Sequence, residues 1–298
     1  MRKIVLILMI CCTAFAAHAD GKLKVVVSFS ILGDMVGQVA GDNVELKVLV
    51  GPNGDVHEYD PTPADAKSLA NADLVFINGL GLEGWMERLI KSSGYKGQVI
   101  VVTKGITPLS SLERGSKAFD PHAWQNIENG KIYVGNITDA LALADKINSS
   151  QYKNNSKVYL NKLDNLDKWV REEINTVPPT KRKVISTHDA FQYFAHAYGV
   201  EFIAPLGVST ESEATAADMA KLIDQIRQQK ITAVFFENMT DSRLIKQLEA
   251  DAGAFVGGTL YSDALSASGG DAPDYMSMFK HNVPLLVAAM IKNPNPNN

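Results

Sequence analysis

Three of the six histidines in this chain stand in loop sequences that could present an imidazole to a metal ion. His57 lies in GPNGDVHEYDPTP, His122 in FDPHAWQN and His188 in STHDAF. Imidazole is a common metal ligand, and glycine and proline around it allow close approach of the backbone to a ligand. Asp263, in GGTLYSDALS, adds a carboxylate in a similar setting. Three imidazoles and one carboxylate suit a four-coordinate ion such as Zn²⁺.

Each candidate ligand also has an ordinary structural interpretation. His122 could be a buried histidine that packs under Trp124 and bonds to the backbone, and Asp263 could be a turn or helix-capping residue. The remaining histidines are predicted in other roles: His196 packed or partly exposed on a helix, His281 on the surface of the last helix, and His18 in the N-terminal leader. The metal site is favoured because the four candidates occupy similar positions in the predicted fold.

The elements that must position these residues alternate between strands and helices. In the first half, predicted strands cover 24–29, 44–50, 73–78 and 98–102, and predicted helices cover 31–39, 62–70 and 82–91, with another beginning near Asn129. In the second half, predicted strands cover 183–186, 200–203, 232–237 and 254–257, and predicted helices cover 190–198, 216–229, 242–252 and 275–291. This order predicts an α/β fold with two similar lobes, each a mostly parallel sheet flanked by helices.

One long amphipathic helix is predicted between the two halves. Apolar residues recur every three to five positions from Ser149 to Thr176, and the helix must end at the Val177-Pro178-Pro179 sequence. We therefore expect an N-terminal lobe at 20–148, a linking helix at 149–177 and a C-terminal lobe at 178–298. A single rigid helix is a poor hinge, so a ligand should lie between lobes that move little.

The candidate ligands follow the ends of predicted strands. In open α/β sheets, ligands bind at the carboxyl ends of the strands. His57 and His188 follow strands in different halves, Asp263 follows the last short strand, and His122 precedes the helix near Asn129. The sequence therefore predicts an ion in the cleft, with two ligands from each lobe.

The N-terminal segment has the features of a signal peptide. Arg2 and Lys3 precede the apolar run 4–16, which is too short to span a bilayer comfortably, and Ala17-His18-Ala19 has the form of a cleavage site. We expect cleavage after Ala19 and release into the periplasm. Lipidation is not expected, because Ile10 precedes Cys11 where a lipoprotein signal has a small residue.

Composition excludes several classes of function. Cys11 and Cys12 are the only cysteines, so the mature chain lacks disulfides and thiolate chemistry. Loss of Arg2 and Lys3 takes the net charge from −4 to −6, which argues against nucleic acid as a partner. No later apolar run reaches about 18 residues, so no transmembrane span is expected in the mature chain.

At these residues the chain resembles the metal-specific substrate-binding proteins of bacterial ABC importers, the zinc/manganese type known as cluster A-I. The resemblance covers the whole mature chain and rests on GPNGDVHEYDPTPAD, DPHAW, STHDAF and YSDALS, together with the long helix. It implies that His57, His122, His188 and Asp263 bind the metal. Three further acids match positions near such sites and are given at most a supporting role: Glu58, Asp120 and Glu237.

The resemblance also bears on the cargo and the partners. Many zinc-type members carry a long histidine-rich loop where this chain has LSSLERGSKAFD, whereas manganese-type members often have glutamate at the position of His188. Imidazole is softer than carboxylate, so we expect Zn²⁺ as transported cargo, with Mn²⁺ or Fe²⁺ as the alternative. The implied partners are a cognate permease and an ATPase; a metallochaperone is left open, and a monomer is expected.

The same residues fit other functions less well. An exported zinc hydrolase would need an open metal position, and the chain has no HExxH motif, so we do not expect an enzyme. A related binder of a siderophore or corrinoid would need aromatic walls and arginines rather than a histidine cluster. Nothing in the composition supports a primary role as an adhesin.

Overall fold

The computed structural model describes residues 21–113, 116–205, 207–210, 216–229, 231, 233–239, 246, 250–251, 253 and 255–294. The predicted signal peptide and most of the predicted helix at 242–252 lie outside these residues. Among the helices formed by the described residues, none combines the length and apolar character needed to cross a membrane.

The N-terminal lobe is built on a four-stranded parallel sheet in the order β2-β1-β3-β4. Its strands are β1 (Leu23–Phe29), β2 (Val44–Val50), β3 (Leu74–Ile77) and β4 (Gln98–Val101). Its helices are α1 (Ser30–Ala40), α2 (Pro63–Ala70), α3 (Met86–Ser93) and α4 (Ile127–Ala144). The last five of the seven residues of β1 are buried, as expected for a strand in a sheet covered on both faces.

The C-terminal lobe repeats this topology. Between β4 and α4, the chain forms a short antiparallel hairpin of β5 (Ser110–Glu113) and β6 (Ser116–Phe119). The parallel sheet of the C-terminal lobe follows the linking helix. Its parallel strands are β7 (Lys183–Ile185), β8 (Glu201–Ile203), β9 (Ala233–Glu237) and β10 (Phe255–Leu260), in the order β8-β7-β9-β10. Its helices are α6 (Gln192–Tyr198), α7 (Ala216–Gln229) and the C-terminal helix α8 (Tyr275–Lys292). In both lobes the first strand lies beside the third, so each sheet has a switch point between these two strands.

The linking helix α5 (Ser149–Asn175) is about 40 Å long, at 1.5 Å per residue over 27 residues. It packs against α1 and α4 of one lobe and α6 and α8 of the other. Its buried face carries Tyr152, Tyr159, Leu163, Leu166, Val170 and Ile174. One hydrophobic core extends through both lobes. The predicted α/β fold of two similar lobes joined by a long helix is confirmed; the limits set for the lobes stay a prediction.

The structure differs from the sequence predictions at three places. Helix α3 begins at Met86 rather than Leu82, because the Glu83 side chain accepts hydrogen bonds from the backbone N–H groups of Asn78 and Gly79 and holds a turn there. Strand β10 continues past the predicted end at Gly257, because Gly257 forms a bulge and pairing with β9 resumes at Gly258, which has a φ of 134°. The hairpin β5–β6 was not predicted, since its four-residue strands show no alternation of apolar residues.

Candidate metal centre

His57 lies in the loop that follows β2. Hydrogen bonds made by Asp55 within the loop and by Trp85 outside it fix the conformation of this loop. The Asp55 carboxylate accepts the backbone N–H of His57 at 2.8 Å, and the Trp85 indole N–H donates to the Val56 carbonyl at 2.8 Å. Trp85 also packs edge-on against Tyr59. The loop is therefore held against α3, and the imidazole of His57 points between the lobes toward His122.

His122 stands in the turn that leads from β6 to α4. Its Nδ1 donates to Asp120 Oδ1 at 2.7 Å, and the same oxygen accepts its backbone N–H at 2.9 Å. The Asn78 side chain, at the end of β3, donates to the Pro121 carbonyl at 2.9 Å. Trp124 covers the imidazole edge-on, with ring centroids 5.3 Å apart. Both Asp120 and the end of β3 therefore fix the position of His122.

His188 follows β7 and takes its orientation from the neighbouring strand β9. Glu237, the last residue of β9, accepts the backbone N–H groups of Thr187 and His188 with one oxygen. Its other oxygen lies 2.7 Å from His188 Nδ1. Both residues thus stand at the switch point of the second sheet, where a ligand is expected in this type of fold.

Asp263 follows β10, three residues beyond its end, and its neighbour Ser262 is tied to the other lobe. The Ser262 carbonyl accepts the indole N–H of Trp124 at 2.9 Å and the side-chain amide of Gln125 at 2.8 Å. Trp124 therefore contacts His122 and also fixes the backbone next to Asp263. All of these groups are buried.

The four predicted residues converge on one point between the lobes. His122 Nε2 lies 3.3 Å from His57 Nε2 and 3.4 Å from His188 Nε2. The Asp263 carboxylate oxygens lie 3.1 Å from His188 Nε2, 3.3 Å from His57 Nε2 and 3.6 Å from His122 Nε2. The four ligand atoms all lie within 4.8 Å of one another.

The two nitrogen–nitrogen distances from His122 are close to those of a tetrahedral metal site. A metal with bonds of about 2.0–2.1 Å places its ligand atoms about 3.3–3.4 Å apart along each edge of the tetrahedron. Because Nδ1 of both His122 and His188 faces a carboxylate, the Nε2 atoms of the neutral rings carry lone pairs that face each other. Within the part of the chain that the structure describes, neither oxygen of Asp263 accepts a well-aligned hydrogen bond. Facing lone pairs and a buried carboxylate both favour a positive charge at the centre, which a metal ion or bound protons can supply.

The charges of the surrounding carboxylates favour positive charge on or between the imidazoles. Burial disfavours the charged imidazolium of His122, but the anions Asp263 and Asp120 outweigh it and raise the pKa of His122 to about 9. The same balance of burial against Glu237 and Asp263 raises the pKa of His188 well above its usual value. Burial alone would raise the pKa of Asp263, yet His122 and His188 hold it well below its usual value. Without metal, the site therefore holds protons at neutral pH.

The acids given a supporting role divide into two groups. Asp120 and Glu237 contact the candidate ligands His122 and His188 directly, whereas Glu58 is exposed and contributes its backbone N–H to Asp55. Sequence reasoning missed Asn78, although it stands at the carboxyl end of a predicted strand and could have been considered for that reason.

The remaining histidines lie elsewhere. His196 lies on α6 as predicted, and its side chain is exposed. His281 was predicted on the surface, but it is half-buried and its Nε2 donates to the Thr259 carbonyl at 2.9 Å. The prediction for His281 was wrong because α8 packs this face of the helix against β10 and Tyr261.

Comparison with known proteins gives relatives along nearly the whole chain. Residues 25–289 match the family described as the periplasmic zinc-uptake complex component A. The manganese-binding lipoprotein MntA of Halalkalibacterium halodurans is 32% identical over 272 residues, which cover 91% of this chain and 90% of that protein.

Solved structures of similar proteins share this fold. The periplasmic zinc-binding protein TroA from Treponema pallidum superposes with a TM-score of 0.86 at 34% identity, covering 91% of this chain and all of that chain. A manganese-bound periplasmic metal-binding protein from Candidatus Liberibacter asiaticus superposes with a TM-score of 0.80 at 32% identity, covering 90% of this chain and all of that one.

Proposed function

Because the chain belongs to the family of periplasmic zinc-uptake components, the metal-binding substrate-binding proteins of ABC importers, we propose that it captures one divalent transition-metal ion between its lobes for delivery to a permease. The ion is cargo rather than a resident cofactor. An ATPase partner supplies the energy for import, as in other transporters of this class.

The observation that carries the proposal is the buried convergence of His57, His122, His188 and Asp263 on one point. Two ligands come from each lobe, so neither lobe alone offers a complete site. We propose these four residues as the metal ligands. Asp120 and Glu237 then orient two of the imidazoles and raise their basicity, which strengthens binding.

Zinc is the cargo that we favour. Three imidazoles and a single carboxylate match the ligand types of Zn²⁺. Mn²⁺ prefers oxygen ligands. The three imidazoles therefore support zinc over manganese.

Manganese is kept as the second candidate because several relatives carry manganese in their names, including MntA. The choice can be tested by stripping the untagged protein, offering equal concentrations of Zn²⁺ and Mn²⁺, and measuring the bound metals by mass spectrometry. Zinc should displace manganese almost completely. Manganese retained in the presence of equal zinc would overturn the zinc proposal, while leaving metal capture intact.

A hydrolase with the same metal set is the competing class of function. Hydrolytic zinc keeps a coordination position open for water, whereas four protein ligands fill the tetrahedral shell. The Asp263→Ala variant separates the two functions. A binding protein should lose affinity, whereas an enzyme should keep its metal and lose turnover.

We propose that the mature protein is a monomer in the periplasm after cleavage behind Ala19. Several relatives are named as lipoproteins, so lipid anchoring is the alternative. The intact mass of the exported protein distinguishes the two, because cleavage after Ala19 leaves Asp20 as an unmodified N-terminus. A mass that includes a lipid on a cysteine would contradict free release.

A further inference from the structure

The four candidate ligands differ in their access to solvent. His57 is 6% exposed, whereas His122, His188 and Asp263 are 0% exposed. Among the four candidate ligands, His57 is therefore the one nearest to solvent, beside the loop that carries it. What holds this loop closed will influence how fast a bound ion can leave.

The tip of the His57 loop is bonded to the other lobe through Asn53. The backbone N–H of Asn53 donates to the Leu265 carbonyl at 2.9 Å, two residues beyond Asp263. The Asn53 side-chain oxygen accepts the amide of Asn238 at 2.9 Å, and Asn238 also donates to the Ala264 carbonyl at 3.2 Å. Asn53 has a φ of 56°, a left-handed conformation that asparagine tolerates better than most residues.

A second bond joins the loop to the C-terminal lobe beside His57 itself. One oxygen of Asp55 accepts the Thr210 hydroxyl at 2.8 Å, while the other accepts the backbone N–H of His57 at 2.8 Å. A single carboxylate thus connects a candidate ligand of one lobe to a side chain of the other. The cross-lobe clasp consists of the four residues that make these bonds: Asn53, Asp55, Thr210 and Asn238.

The clasp differs from the deeper contacts between the lobes. The Trp124 and Gln125 side chains donate to the Ser262 carbonyl in the buried interior, where opening would expose unsatisfied groups. The Asn53–Asn238 bond is exposed, and the Asp55–Thr210 bond is only partly buried. Water can replace the clasp bonds at low cost, so the clasp should open more readily than the contacts of Trp124 and Gln125.

We infer that Thr210 and Asn238 are positioning residues that hold the His57 loop shut and thereby slow release of the bound ion. This inference rests on the proposed function. Neither residue touches the metal, so their loss should act on the dissociation rate rather than on the ligand set. The side chains act through Asp55 and Asn53, whose backbones lead directly to His57.

The test is the rate of Zn²⁺ dissociation into excess chromogenic chelator, measured by stopped flow. Thr210→Val and Asn238→Ala should each speed dissociation about fivefold, and the double variant about twentyfold, since each removes a hydrogen bond that water can partly replace. The association rate should change less than about twofold. Matched controls far from the clasp, Thr180→Val and Asn161→Ala, are exposed and should leave both rates unchanged.

Two results would overturn the inference. One is a double variant whose dissociation rate equals that of the wild type. The other is a changed absorption spectrum of the Co²⁺-loaded variants, which would show that these residues shape the ligand geometry instead. Failure of the wild type to bind Zn²⁺ at all would instead contradict the proposed function. The same experiment shows this separately, because the wild type would then release no zinc to the chelator.

Discussion

The Nε2 atoms of His122 and His188 lie 3.4 Å apart, although one histidine belongs to each lobe. Asp120 accepts the Nδ1 hydrogen of His122, and a Glu237 oxygen lies 2.7 Å from Nδ1 of His188, so in the neutral rings the Nε2 lone pairs face each other across the lobe interface. In the metal-free protein, protons on the two rings would offset this repulsion, in line with the raised pKa values of His122 and His188. A cation bound at this point would contact groups of both lobes.

The two buried carboxylates behind the imidazoles should set the affinity. Asp120→Asn and Glu237→Gln remove the charge that raises the basicity of His122 and His188. Each should weaken zinc binding about 10- to 100-fold, the usual effect of losing such a partner. Competition with a chelator of known affinity measures the change.

Exposed acids provide matched controls for these variants. Asp139→Asn on α4 and Glu172→Gln on α5 make the same chemical changes on the surface. Both should bind zinc as the wild type does. Equal weakening in the buried and exposed variants would show that net charge, rather than contact with the imidazoles, controls affinity.

Zinc affinity should rise with pH beyond the range of an ordinary histidine. Protonated imidazole cannot bind metal, and the raised pKa of His122, about 9 in the metal-free protein, means that a proton must leave at pH 7. Affinity should therefore increase about tenfold per pH unit for each proton displaced, up to about pH 9. An ordinary histidine, with a pKa near 6.5, would give a plateau from about pH 7.5.

Calorimetric titration in two buffers with different ionisation enthalpies measures the protons released at each pH. At least one proton should be released per zinc at pH 7. Constant affinity between pH 6.5 and 8, with no proton release, would contradict the charge balance described for this site.

Two glycines of α4 should respond in opposite directions to alanine. A Cβ at Gly130 would lie 2.6 Å from the hydroxyl of Tyr275, a buried ring whose hydroxyl donates to the Trp124 carbonyl. Gly130→Ala should lower the free energy of unfolding by about 1–3 kcal/mol through overpacking. Gly135 has open space around it, so Gly135→Ala should raise the free energy by about 0.5–1 kcal/mol. Urea denaturation of the metal-free proteins measures both, and stabilisation of both variants would contradict the packing.

Asn78 should matter for stability as well as for the position of His122. Its amide donates to the Pro121 carbonyl, and its oxygen accepts the hydroxyl of buried Tyr133. Asn78→Ala should lower the free energy of unfolding by about 1–3 kcal/mol, because the buried hydroxyl of Tyr133 loses its acceptor, whereas the Pro121 carbonyl keeps the backbone N–H of Ala123 as a donor. In a Tyr133→Phe background the cost of Asn78→Ala should be smaller, since one of the two partners is already gone. Identical costs in the two backgrounds would exclude the coupling.

Much of the fold could be predicted because local patterns were strong. The capping sequence at Thr62-Pro63 predicted the start of α2, and the structure shows the reciprocal bonds between Thr62 and Asp65. The strand ends at Val50 and Ile185 placed His57 and His188 at carboxyl edges. Each of these features depends on residues close together in sequence.

The parts that could not be predicted depend on tertiary contacts. Asn78 and Tyr133 are 55 residues apart, and Asp55 and Thr210 are 155 residues apart. No local pattern marks such pairs. The hairpin at Ser110–Glu113 and Ser116–Phe119 was missed because strands of four mixed residues resemble a loop. The identity of the metal likewise depends on small differences in geometry that a ligand list does not contain.

The central claim is that four residues from two lobes hold one metal ion, and the zinc content of purified variants tests it most directly. The untagged mature protein is stripped, incubated with excess Zn²⁺, desalted and analysed by mass spectrometry, beside His122→Ala and the control His196→Ala. About one zinc per chain is expected in the wild type and in His196→Ala, with most of it lost in His122→Ala. Equal zinc in all three proteins, or none in the wild type, would contradict the account.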